Sequence, residues 1–274
     1  MTLDLLCGSR IFKRAGMVMA VLTLAFPLNA CKTSDHFGDI TGSISSAETL
    51  PTNPQALQTY SAALGHQYEA SPANKLIAMR YARSLRALTQ YSQAVAVMQN
   101  IALKNPNDME VLGEYGKALA DAGRFQEAAE VLPRAHRPEM PNWHILSVQG
   151  TVADQLGDHA QAQNYYAAAL KIMPNEPTIL SNLGLSYALT KNLTKAEDIL
   201  RFAASQRGAD LRVRQNLALV LALEGKFKEA ETVSAQDLSP QDSAENVLAI
   251  RNMISQSDTW KDIQVQGSKA TPHS

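Results

Sequence analysis

Two cysteines in 274 residues, aromatics at 6% and a formal net charge of -1 remove several classes of function before any pattern is read. One cysteine, Cys7, lies in an N-terminal stretch that reads as a removable leader, so Cys31 alone cannot form an intramolecular disulfide. No CxxC pair occurs. The six histidines (His36, His66, His136, His144, His159, His273) contain no i,i+4 pair and no HExxH neighbourhood, so no metal site is expected. The balanced charge excludes the concentrated basic face that nucleic acid requires. No GxSxG elbow and no phosphate-cradling glycine loop is present. Glu127, Glu197 and Glu229 read as a solvated face. The expectation is a chain with no catalytic residue, no metal and no cofactor. Proline and glycine fall mostly in short gaps between alanine-rich segments, which predicts an all-α protein.

The first thirty residues follow a different logic. Arg10, Lys13 and Arg14 precede an uncharged run from Ala15 to Leu28, shorter than the roughly 20 apolar residues that span a bilayer, and this pattern predicts a signal peptide over 1–30. Leu28-Asn29-Ala30-Cys31 resembles the bacterial lipobox, which implies cleavage between Ala30 and Cys31 and a lipid thioether on Cys31. An ordinary secretory signal near an unmodified, buried cysteine is the alternative. Two or more acyl chains hold a protein stably at a membrane. Lys32, in place of aspartate, implies by the lipoprotein sorting rule an outer-membrane, periplasm-facing location. Residues 31–53, rich in Ser, Thr, Gly and Asp, predict a flexible tether with a reach of roughly 25 Å.

Internal repetition dominates the remainder. Ala94, Ala128, Ala162, Ala196 and Ala230 each end a similar turn segment, and each stands 34 residues after the one before. Gly116, Gly150 and Gly184 keep the same interval. The pattern predicts helical hairpins stacked as a right-handed solenoid, with five units over 75–240. Within each unit a small residue at position eight is expected to let the position-twenty alanine approach closely, small against small. Gly123, Gly157 and Gly225 fit the turns. Residues 54–74 predict an N-terminal half-repeat helix, 241–260 a capping helix and 261–274 a disordered tail.

In such a stack the first helix of each hairpin lines the concave surface. Partner-groove candidates are Ser147, Thr151, Ser181, Asn182, Leu185, Arg212, Gln215, Asn216 and Leu219. Asn182 and Asn216, one period apart, are expected to form an amide pair able to grip an extended peptide backbone. Arg83, Arg86, Glu114 and Lys117 read as solvated surface.

The 34-residue unit resembles the tetratricopeptide repeat. With the lipobox, the TGSI stretch at 41–44, the run LRVRQNLALVLALEGKFKEAE (Leu211 to Glu231) and NVLAIRNM ahead of Trp260, the chain is similar to the TadD family, lipoproteins of tight-adherence (Flp) pilus assembly. The resemblance implies a protein-binding scaffold whose partner is the outer-membrane secretin or another pilus assembly component. A general envelope adaptor for cell-wall or outer-membrane protein assembly stays open beside it.

Overall fold

Asn53, Asn74, Asp108, Asn142, Glu176 and Asp210 each stand just before a helical run, and each side chain accepts a hydrogen bond from a backbone N–H of the first turn. Those caps set the starts of half the helices in a computed structural model that describes the backbone of residues 49–269 and the side-chain surroundings of 49–256. The signal peptide, Ala30, Cys31 and most of the tether lie outside the described residues.

The helices are α1 (Pro54–Ala70), α2 (Lys75–Ala87), α3 (Tyr91–Lys104), α4 (Met109–Asp121), α5 (Phe125–Val131), α6 (Trp143–Gln155), α7 (His159–Ile172), α8 (Pro177–Leu189), α9 (Leu193–Ser205), α10 (Leu211–Leu223), α11 (Phe227–Ser234) and α12 (Pro240–Lys269). Helices α2 to α11 form five hairpins, and each even-numbered helix is the first of its pair. Every second helix packs between its own first helix and the next one. Successive first helices also lie close along their backbones, whereas successive second helices do not among the described residues, although the Arg201 side chain of α9 reaches Glu229 of α11 at 2.5 Å. Rods that are close on one side and apart on the other impose curvature, so the first helices line the inner, concave side.

Each hairpin turn is closed the same way. Thr89, Gly123, Gly157, Lys191 and Gly225, one period apart, all adopt positive φ, between 59° and 85°. The N–H of the following residue then reaches back to a carbonyl in the last helical turn, as from Gln90 to Leu85 at 2.8 Å and Asn192 to Tyr187 at 2.9 Å. Glycine signals this conformation at three turns; Thr89 and Lys191 occupy it without a glycine's freedom. A β-branched side chain is the least suited to it. Thr89→Gly should therefore raise stability by about 1 kcal/mol, read as a higher urea midpoint at unchanged slope.

The five position-twenty alanines are fully buried. What fills the space over the position-eight glycines differs from expectation. A Cβ on Gly116 would lie 2.4 Å from Leu132, on Gly150 2.5 Å from Tyr166, and on Gly184 2.6 Å from Leu200. The contact is small against large: each glycine is a socket for the bulky residue one helical turn beyond the alanine. The alanine itself lets the second helix come near enough for that insertion.

Two units depart from the pattern. Pro133 cannot supply a helical N–H, so α5 stops at Val131 and passes through a 3-10 turn, Leu132–Ala135, into a loop bridged at Arg137 and Met140. In the last hairpin α11 ends at Ser234, where the other units carry a large residue; Ser243 and Val247 of α12 are buried nearby, and the Ser243 hydroxyl donates to the Glu231 carbonyl at 2.8 Å. Helix α12 continues to Lys269, past the boundary at 260 drawn from sequence. The segment from Trp260 to Lys269 holds no proline and one glycine, so no backbone feature stops the helix there.

Candidate partner-binding face

The first helices present positions two, five, six, nine and twelve toward the inner side, and along the stack these residues change character. At the N-terminal end Leu76 is 53% exposed and Met79 is buried, while the charged residues there and beside them are already paired. Lys75 of α2 donates to Asp108 at 2.9 Å and to Glu110 at 3.4 Å, both at the start of α4. Arg83 takes Glu114 in a two-point grip, Nε to Oε2 at 3.1 Å and Nη2 to Oε1 at 3.2 Å. Arg86 bridges Glu114 at 3.4 Å and Asp121 at 2.6 Å, and Lys117 reaches Glu114 at 3.1 Å.

Glu114 is thus no solvated surface residue: it is 6% exposed and ringed by three cations. Burial pushes its carboxyl up, and Lys117, Arg83 and Arg86 together outweigh that and hold it below the ordinary range. This cluster ties α2 to α4, and its charges are spent on each other.

A second polar node joins the middle units. The Asp154 carboxylate accepts from Ser186 Oγ at 2.8 Å and from the Tyr166 hydroxyl at 3.2 Å, and sits 2.8 Å from His159 Nδ1. The residue types are those of a hydrolytic triad, but the arrangement is wrong for one. Ser186 is fully buried and faces the carboxylate, whereas a nucleophile must face the imidazole. The node fastens α6, α7 and α8 together. Among the described residues no group of three His, Cys, Asp or Glu side chains is placed to hold a metal.

Toward the C-terminal end the candidates separate into two groups. Ser147 and Ser181 are 9% and 3% exposed, so they do not present hydroxyls to a partner. The Thr151 hydroxyl donates to the Ser147 carbonyl at 3.2 Å. The expected amide pair is not what forms: Asn216 Nδ2 donates to Ser181 Oγ at 2.9 Å, spanning α8 and α10, which leaves Asn182 outside the pair. Asn216 is committed to a buried neighbour because the hydroxyl it meets would otherwise lack a partner.

Arg212 and Gln215 are exposed, and Asn182, Leu185 and Leu219 are half-buried. Around Leu185 and Leu219 the structure shows what the sequence reading passed over. Leu189 is 56% exposed and Leu223 39%, each one turn beyond its half-buried partner, and Met253 of α12 is 51% exposed in the same register. The signal was available as LxxxL in both helices at one period.

Residues 79–138 and 148–210 match a protein-family model described as tetratricopeptide repeat. Cellulose synthase operon protein C of Xanthomonas axonopodis pv. citri is 29% identical over 218 residues, 78% of this chain and 13% of that protein. Protein y4yS of Sinorhizobium fredii is 29% identical over 116 residues, 42% of this chain and 63% of that one. The chain spans between 11% and 63% of the lengths of the curated relatives it matches. Among solved structures, a thermophilic tetratricopeptide-repeat protein of Thermus thermophilus superposes with a TM-score of 0.57 at 22% identity, over 64% of this chain and all of that one. PilW, titled a widely conserved type IV pilus biogenesis factor, gives 0.59 at 19% identity, over 71% and 91%. At such identities the likeness is one of fold.

Proposed function

We propose that the chain, in which residues 79–138 and 148–210 match the tetratricopeptide repeat and which folds as a solenoid of that kind, is a lipid-anchored scaffold that binds another protein in its inner face and serves the assembly of a pilus, with pilotin-like assistance to the outer-membrane secretin of a tight-adherence system. The observation that carries the binding role is the contrast along that face: charges consumed internally over α2 and α4, and leucines left half-open over α8 and α10. Four supports favour the pilus setting: the resemblance of the lipobox, of Leu211 to Glu231 and of the closing helix to the TadD family, and a pilus biogenesis factor built on the same fold. Membrane attachment in this reading rests on Cys31.

Two measurements test it. Cys31→Ser should move nearly all of the chain from the membrane to the soluble fraction, since one residue carries every acyl chain; unchanged fractionation removes the anchor. The full-length chain should retain the secretin in a pull-down from detergent-solubilised envelopes. Recovery of cell-wall enzymes in its place would favour the general adaptor.

A further inference from the structure

Each unit has two core positions one turn apart on its first helix, seven and eleven. They hold Tyr81 and Leu85, Tyr115 and Leu119, Leu183 and Tyr187, and Leu217 and Leu221; only the third unit, with Gln149 and Ala153, has no large apolar residue at either. At that place, beside Ala129 of α5, the seam between the second and third hairpins opens into a cleft of about 180 Å3. Its floor is α6 and its sides are α5 and α7, two outer rods, so its mouth points away from the inner face. Leu132, Val152 and Leu156 make the lining apolar, while Asp158, Gln161 and Tyr165 stand along α7. Gln149 does not fill the space, because its side chain is drawn toward His136, with Oε1 3.2 Å from Nε2.

The units on either side identify what fits. In the second, Tyr115 packs against the core cluster that includes Ala128 and Leu132, and its hydroxyl lies close enough to Arg124 and Glu127 to feel their charges. In the fourth, the Tyr187 ring has Lys195 Nζ 4.0 Å from its centre. Arg124 and Glu127 stand one period before Asp158 and Gln161, and Lys195 stands one period after Gln161. Both flanking units therefore lay a tyrosine ring against the stretch of outer helix that rims the cleft in the third, where the chain supplies none. We propose that this cleft receives a tyrosine side chain borne by a protein partner, a second contact on the outer side that does not depend on the inner face. Size and polarity agree. An apolar cavity of about 150 Å3 admits benzene, so a cleft of about 180 Å3 has room for a phenol ring. Asp158 accepts the Gln161 N–H through Oδ1 at 3.0 Å, and its other oxygen can accept a hydroxyl at the mouth. An aliphatic guest would cover that carboxylate without offering it a donor, and a sugar ring would carry hydroxyls that Leu132, Val152 and Leu156 cannot pair.

The test titrates the full chain with p-cresol, with the capped peptide Ser-Gly-Tyr-Gly-Ser and with its Ser-Gly-Leu-Gly-Ser counterpart, followed by the methyl NMR signals of Leu132, Val152 and Leu156. Saturable shifts confined to those methyls are expected for p-cresol and the tyrosine peptide, with a Kd of about 1 mM, as suits so small a guest. The leucine peptide should bind at least fivefold more weakly. Gln149→Tyr supplies the ring from within, as Tyr115 does, and should weaken both ligands at least tenfold while the urea midpoint holds or rises. Ala153→Leu restores the residue type of Leu119 and Leu221 and should do the same, so that either variant suffices if the other fails to fold. Undiminished binding in a folded variant of this pair, absence of localised shifts, or equal binding of the leucine peptide would overturn the proposal. So would p-cresol binding without the tyrosine peptide, which would make this a site for free phenols, or tighter binding of N-acetylglucosamine, which would make it a sugar site. Sedimentation showing self-association that Gln149→Tyr abolishes would make the occupant a second copy and overturn it as well. None of these outcomes bears on the anchor or on secretin retention.

Discussion

Tyr166→Ala should lower the free energy of unfolding by about 3–5 kcal/mol, the range for emptying a large, fully enclosed aromatic site. Tyr166 is 2% exposed, the largest of the fully buried side chains, and its ring lies where a Cβ on Gly150 would be. Its hydroxyl also reaches Asp154 in the node that fastens three helices. Burial, first of all, raises the phenol's pKa far above its ordinary value, so the group is a neutral donor at every working pH.

Tyr166→Leu separates the two contributions, because Leu132 and Leu200 already occupy the equivalent place over Gly116 and Gly184. Its remaining loss, about 1–2 kcal/mol, measures the hydroxyl and the ring's extra volume. Gly150→Ala in the native background overfills the socket and should lose about 1–3 kcal/mol. Combined with Tyr166→Ala it should lose less than the sum, since the added methyl then enters vacated space. Urea unfolding decides; a loss below about 1 kcal/mol for Tyr166→Ala would mean that the socket collapses without consequence.

Glu114→Ala should lower stability by about 2–3 kcal/mol at neutral pH. Removing one partner of a fully buried ion pair loses about 3–5 kcal/mol, and the figure here is smaller because Arg83, Arg86 and Lys117 are 22–34% exposed and can turn to water. The pH dependence has a definite sign. A carboxyl whose folded pKa lies below its unfolded value contributes stability above the unfolded value, near 4.5, and loses it as pH falls through the folded one. Glu197, read from sequence as part of a solvated face, is 8% exposed and paired; held down to about 2 chiefly by Lys226 with Arg201 adding to it, it follows the same sign at the other end of the stack. The native chain should therefore lose stability progressively between about pH 4.5 and 2, and Glu114→Ala should show a shallower decline over that window. Equal slopes in the two proteins would assign the acid sensitivity elsewhere.

The period was legible because alanine and glycine recur where two helices must come within reach, and nothing but a fixed spacing puts them there. That Leu132, Tyr166 and Leu200, large residues expected around the contact, enter directly over the glycines was not, since a glycine announces proximity without saying which side chain fills it. Positive φ at Thr89 and Lys191 escaped notice because the turn hydrogen bonds impose it on residues that do not advertise it. Glu114 looked like surface because a charged residue in a charged neighbourhood reads the same whether or not its neighbours enclose it. The amide pair failed for a similar reason: spacing places Asn182 and Asn216 on matching positions, but the nearer hydroxyl of Ser181 wins the donor. Leu185 and Leu219 were placed on the groove, but Leu189 and Leu223 were passed over because LxxxL on a helix usually means core, and only the lack of a covering element among the described residues makes them a surface.

The inner rods touch while the outer rods stay apart, and this makes the solenoid a spring whose stiffness varies along its length. Opening or closing its pitch disturbs the seam between first helices together with the packing of each second helix on the next hairpin. Over α2 and α4 that seam is riveted by ions; over α8 and α10 a single amide-to-hydroxyl bond crosses it, so the compliant coil coincides with the stretch where a guest would settle.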